Sequence, residues 1–123
     1  MKDNDSPEAI KERLRISSVS ITDEAVDTWD SVVPECKTRY VVAIFLFGDL
    51  TATEVVDART EDDAGAVTVV LNDIPIAPSQ IKQFPASGYD IMSPFLSIEG
   101  GGQLSFIADA GTPKATVVWY DEP

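Results

Sequence analysis

Apolar residues along this chain come in short runs of strand length, each closed by glycine, proline or acidic residues. Ile16, Val19 and Ile21 open the series, Asp23, Glu24 and Asp27 interrupt it, and Trp29, Val32 and Val33 resume it before a turn at Pro34-Glu35-Cys36-Lys37. Arg39 to Phe47 is the strongest strand, ended by Gly48-Asp49. Glu54 to Arg59 forms a shorter one, an acidic turn follows from Thr60 to Gly65, and Ala66 to Leu71 is a further strand closed by Asn72-Asp73. Pro75, Pro78, Pro85 and Gly88 then forbid a long central strand or helix, which leaves a crossover with a short edge strand near Gln80 to Phe84. Pro94 to Glu99, Gln103 to Ala108 and Lys114 to Tyr120 close the chain as three strands, parted by Gly100-Gly101-Gly102 and Ala110-Gly111-Thr112-Pro113, and are expected to pair as an antiparallel meander.

This pattern predicts an all-β fold, a two-sheet antiparallel sandwich of jelly-roll or Greek-key path, because the long crossover lets the chain pass between sheets. The sandwich is expected over residues 15–123, with residues 1–14 as an arm or short helix. Ser6 is a candidate N-cap, Pro7 suits the first helical position, and Glu8 precedes Lys11 and Arg13. Phe45, Ile44, Val69, Leu104, Phe106, Val117 and Trp119 are the expected core.

Two alternating sets run along the strongest strand: Val41, Ala43, Phe45, Phe47 and Tyr40, Val42, Ile44, Leu46. Both are apolar, so neither face expects water. The second face needs a cover, from the N-terminal segment, a long loop or another subunit. On the subunit reading, Ile10, Leu14, Tyr40, Val42, Ile44 and Leu46 form the interface of a homo-oligomer, a trimer by preference.

With 123 residues the chain has room for one core. No apolar run reaches the roughly 18 residues of a membrane span, and the polar, acidic start has no signal-peptide core. Twenty-one acidic against nine basic residues leave a net charge of −12, which repels nucleic acid and anionic membranes. Two readings of this acidity stand side by side: solubility, and adaptation to high salt.

The chain contains no histidine, which removes Ser-His-Asp and Cys-His sites and the common zinc sets. Cys36 has no second cysteine to pair with and reads as structural or incidental. The glycine run lacks the lysine and Ser/Thr of a phosphate loop. Glu61-Asp62-Asp63 and Asp121-Glu122 offer carboxylate oxygens for calcium, without the spacing of an EF-hand. Neither catalysis, nor a cofactor, nor a metal site is therefore expected. Trp29, Trp119, Tyr120, Tyr89 and Tyr40 would be the residues of a sugar-stacking platform, which makes a carbohydrate- or receptor-binding module the alternative function.

The order of elements, from the central strand Arg39 to Asp49 through the acidic turn, Ala66 to Leu71 and the proline-rich crossover to "SPFLSIEGGGQLSFIADAGTPKATVVWYDE", resembles the small β-sandwich virion proteins of tailed viruses: head decoration proteins and related collar or fibre modules. The resemblance spans roughly Arg15 to Glu122 and lies in strands and turns, with no diagnostic motif. It implies a non-enzymatic protein of the virion that associates with itself and clamps capsid or other virion subunits. With the acidity, a virus of a halophilic host is the favoured variant.

Overall fold

Strand pairing in the computed structural model, which describes residues 6–21, 26–28 and 32–122, is nested from the outside inward. Among the described residues the elements are α1 (Pro7–Arg13), β1 (Arg15–Ser20), β2 (Val26–Thr28), β3 (Thr38–Phe47), β4 (Glu54–Glu61), β5 (Val67–Ile76), β6 (Ile81–Phe84), β7 (Leu96–Glu99), β8 (Gln103–Ala108) and β9 (Lys114–Asp121). The first strand pairs with the last, β2 with β8, β3 with β6 and β7, and β4 with β5, all antiparallel. Rolling this nest brings β9 beside β3 and β8 beside β4. Two sheets result, β1-β9-β3-β6 with β7 also on β3, and β2-β8-β4-β5. That winding is a jelly roll. One strand position is split: Ile44 to Phe47 of β3 pairs with β6, and Thr38 to Val41 pairs with β7.

The inter-sheet core contains Val41, Ile44, Leu46, Val56, Ala58, Leu71, Ile76, Ile98, Leu104, Phe106, Ala108 and Val117. Trp119 packs half-buried against it, and its indole N–H donates to Ser17 Oγ at 3.2 Å. Arg39, itself buried, stacks over the Trp119 ring at 3.8 Å and pairs with both carboxylate oxygens of Asp121, at 2.6 and 3.0 Å. This charge-assisted fork fixes the end of β9 against β3.

The strict alternation expected along β3 fails at one place. Val41 pairs with Trp119 and Ala43 with Val118, so Val42 is an extra residue, a β-bulge. Val41, Ile44 and Leu46 therefore face the other sheet, while Tyr40, Val42, Ala43 and Phe45 join a second apolar cluster. Phe45, expected in the main core, belongs to this second cluster.

Helix α1 supplies part of that cluster's cover. Ser6 caps it, accepting from the Ala9 N–H at 3.1 Å, and Pro7 begins it. A seven-residue helix is not stable alone. It is held by Ile10 and Leu14, which pack with Val42, Ala43, Val118 and Tyr120, and by Arg13, whose Nε donates to the Asp121 carbonyl at 3.3 Å. Ile91, from the segment between β6 and β7, packs against the same cluster, and Tyr89 meets Phe45 edge-on with ring centroids 6.3 Å apart.

Three expectations need correction. Asp27 does not break the β run but lies within β2; Asp23, Glu24 and Trp29 fall outside the described residues. Asn72-Asp73 does not close a strand: Val56 pairs with Ile74 and Ala58 with Leu71, so these two residues form a bulge inside β5, with Asp73 at φ 52° and its N–H donating to Asp57 Oδ1. The strand continues through Pro75, which an edge strand accepts. Val69 is not core but 53% exposed, because a further skip at Val70, between the pairs Arg59 with Val69 and Ala58 with Leu71, turns it outward.

Candidate functional site

At one end of the sandwich the β3–β4 loop, the 77–80 turn between β5 and β6, the β8–β9 turn and the end of β1 are laced together by main-chain bonds. Gly48 N–H donates to the Gln80 carbonyl at 2.9 Å, Ser79 N–H to the Asp49 carbonyl at 3.0 Å, and Ile21 N–H to the Pro113 carbonyl at 2.7 Å. Asp49 organises this end. Its Oδ1 accepts from the N–H and hydroxyl of Thr51, at 2.9 and 2.7 Å, and its Oδ2 accepts from the Thr112 N–H at 3.0 Å.

Glu54, the first residue of β4, turns back into the same place and is only 1% exposed. Its Oε1 accepts from the Asp49 N–H at 3.3 Å, while its Oε2 is enclosed with no donor facing it. Gly111 makes room for the pair: a Cβ there would collide with Glu54 Oε2 and come within 2.6 Å of Asp49 Oδ2. Its φ of +69° also favours glycine. The two carboxyls lie side by side against Gly111, and their titrations separate. The Glu54 carboxyl first, then the Thr112 and Thr51 donors, hold Asp49 well below the usual carboxylate range. Burial first, then the neighbouring Asp49 carboxyl and the charge of Asp109, push Glu54 up from its ordinary 4.5, against the opposing Asp49 N–H.

The acids singled out in the sequence serve the fold instead. Asp62 Oδ1 accepts from the N–H groups of Ala64 and Ala66, at 2.9 and 2.8 Å, which closes the acidic turn. Asp121 is the partner of Arg39. Among the described residues no three His, Cys, Asp or Glu side chains form a metal-holding group. Cys36 is exposed and sits at φ 66° in its turn. Of the aromatic residues, Trp119 lies under Arg39, Tyr120 is buried with its ring centroid 5.2 Å from that of Tyr40, and Tyr89 is 48% exposed beside Phe45. These rings are divided between the inter-sheet side and the outer cluster of one sheet and do not form a common platform.

The six residues expected at an interface divide as well. Ile44 and Leu46 belong to the inter-sheet core; Ile10 and Val42 are buried in the outer cluster, with Leu14 and Tyr40 half-buried at its margin. Four of the six are thus enclosed by the chain itself, which leaves a partner little of this set to touch. Exposed apolar side chains lie elsewhere, among them Ile16, Leu50, Val67, Val69 and Ile81. Val67 and Val69, opposite Glu61 and Arg59, stand on the edge strand β5.

The Asp49–Glu54 pair was not foreseen as a site. Gly48-Asp49 reads in the sequence only as the end of a strand, and nothing there brings Gly111 to the two acids.

No protein-family model and no curated protein matches the chain. Among solved structures, it is similar to the VP2 subviral particle of infectious bursal disease virus, at 12% identity and a TM-score of 0.47 over 89% of this chain and 33% of that one. It is likewise similar to the Gx strain of that virus, at 11% identity and 0.49 over 89% and 33%. A third likeness is to PirA, at 8% identity and 0.49 over 85% of this chain and 92% of that one. The chain spans about a third of the two viral chains. At such identities and scores these likenesses carry nothing about what the chain does.

Proposed function

We propose that this chain is a non-enzymatic structural protein of a virus particle, of the head decoration type, which associates with itself and docks on capsid subunits. The observation that carries the reading is the exposed start of β5, Val67 to Val69. Edge strands are ordinarily protected by charge, proline or a bulge, and Val67 to Val69 have none of these, whereas the rest of β5 carries the skip at Val70, the Asn72-Asp73 bulge and Pro75. Val67 and Val69 are 51% and 53% exposed there. An unprotected valine edge on a chain of net charge −12 suits a surface made for a partner.

Three further features support the same reading. Jelly rolls are a common architecture of capsid domains, though lectins and cupins use them too. The chain has no histidine with which to activate a nucleophile. The order of strands and turns resembles the small virion proteins of tailed viruses. In its finest form the proposal is a trimer on the particle of a virus whose host lives in high salt, where repulsion between acidic subunits is screened to about 3 Å at 1 M ionic strength.

The test is co-sedimentation of the purified protein with particles of the virus that encodes it, prepared without the protein. Saturable binding, stronger at high salt, is expected. Particles that assemble fully without the protein and never bind it would overturn the proposal.

A further inference from the structure

Among the described residues, Glu54 Oε2 is the enclosed side-chain oxygen that no donor reaches. It lies against Gly111, beside the Asp49 carboxylate. An ionised carboxylate buried next to a second one is strongly disfavoured, so something must neutralise the pair. A divalent cation would need several oxygens at roughly 2.3 to 2.6 Å and open space at Oε2. That space is missing, because the oxygen is closed off from solvent and Gly111 packs onto it. A proton needs no room.

We propose that Glu54 is held protonated, that its hydroxyl donates to the Asp49 carboxylate, and that this shared proton is a clasp between the β3–β4 loop and the β8–β9 turn that opens when the proton leaves. The connection runs from Glu54 through Asp49 to the Thr112 N–H. Ionisation of Glu54 would put two negative charges in contact inside this end, with Asp109 adding a third from the β8–β9 turn. The 77–80 turn contributes no charged residue; of the adjoining strands, β6 carries Lys82 and β9 begins with Lys114, while Arg15, Arg39 and Arg59 stand farther along β1, β3 and β4.

The raised titration of Glu54 fits this geometry and sets the sign. Its contribution to stability is fully present below its ordinary value of 4.5 and is lost as pH rises through the raised one. Asp49 works oppositely: its contribution is present above its ordinary 3.8 and is lost only as pH falls through the depressed value. The clasp is therefore firmest between these limits and weakens as pH rises through the raised titration of Glu54.

Glu54→Gln keeps a donor for Asp49 and removes the titration, so it separates the clasp from ordinary packing. Thermal unfolding of both proteins is followed from mildly acidic to alkaline pH. The wild-type Tm should fall relative to the variant by about 4 °C for each pH unit crossed within the window over which Glu54 ionises only when folding is lost. Infrared difference spectra, wild type minus variant, should show the C=O stretch of a protonated carboxylic acid that persists as pH rises above 4.5. Should Glu54→Gln fail to fold, that band in the wild type still decides the matter. Parallel Tm profiles, no protonated-acid band, or a Tm raised by calcium in the wild type alone would each overturn the clasp, the last by making the pair a cation site.

Discussion

On the outer face of the β1-β9-β3-β6 sheet, Val42, Ala43, Val118 and Tyr120 cluster with Ile10 of α1, and Ile91 packs against them. On the other sheet, the edge valines Val67 and Val69 stand half-exposed with charged neighbours, Glu61 and Arg59. The chain thus covers one apolar surface with its own helix and crossover and leaves a smaller one open. A strand that is apolar on both faces does require a cover, but the cover need not be another subunit. On the proposed function, the surface that serves association is then the one the chain does not finish.

Substitutions can break this comparison at three depths. Phe106→Ala, between the sheets, should cost about 3 to 5 kcal/mol in denaturant unfolding, because it opens a cavity that both sheets line. A loss well under 1 kcal/mol would mean that the two sheets do not share one core. Ile10→Ala removes the main anchor of α1 from the outer cluster and should cost about 2 kcal/mol, the low end for such truncations, since the helix lies at the surface. Association should survive this change. If self-association fell while stability held, the helix face would be an interface after all. The double change Val67→Lys and Val69→Lys should alter stability least, within about 0.5 kcal/mol, because both side chains are half-exposed. Its effect should appear in association instead, since lysine on an edge opposes strand addition.

Much of the fold was legible because strand length, turn residues and the helix start each had a local cause. The serine cap, Pro7 and the glycine turn at 100–102 stand where the sequence places them, and three closing strands do form, but the first begins at Leu96 and they alternate between the two sheets instead of pairing as a meander. The misses come from bulges. One extra residue reverses which side chains face inward, and no residue type announces it: Val42 moved Ala43 and Phe45 outward, and the skip at Val70 exposed Val69. Pro75 misled in a related way, because a proline that excludes a central strand does not exclude an edge. Least legible was the Asp49–Glu54 pair. Its acids are near neighbours in sequence, but the glycine that lets them converge comes from the β8–β9 turn. Only the nested pairing of strands brings these loops to one end.

The central claim, that the chain seals its helix-covered face and associates through the open valine edge, is tested most directly by sedimentation velocity across a salt series. The wild type should shift from smaller to larger species as salt rises and the repulsion of the −12 charge is screened. The Val67→Lys, Val69→Lys protein should remain monomeric while Ile10→Ala associates like the wild type. A wild type that stays monomeric at every salt concentration, or that associates equally well with both valines replaced, would contradict the account.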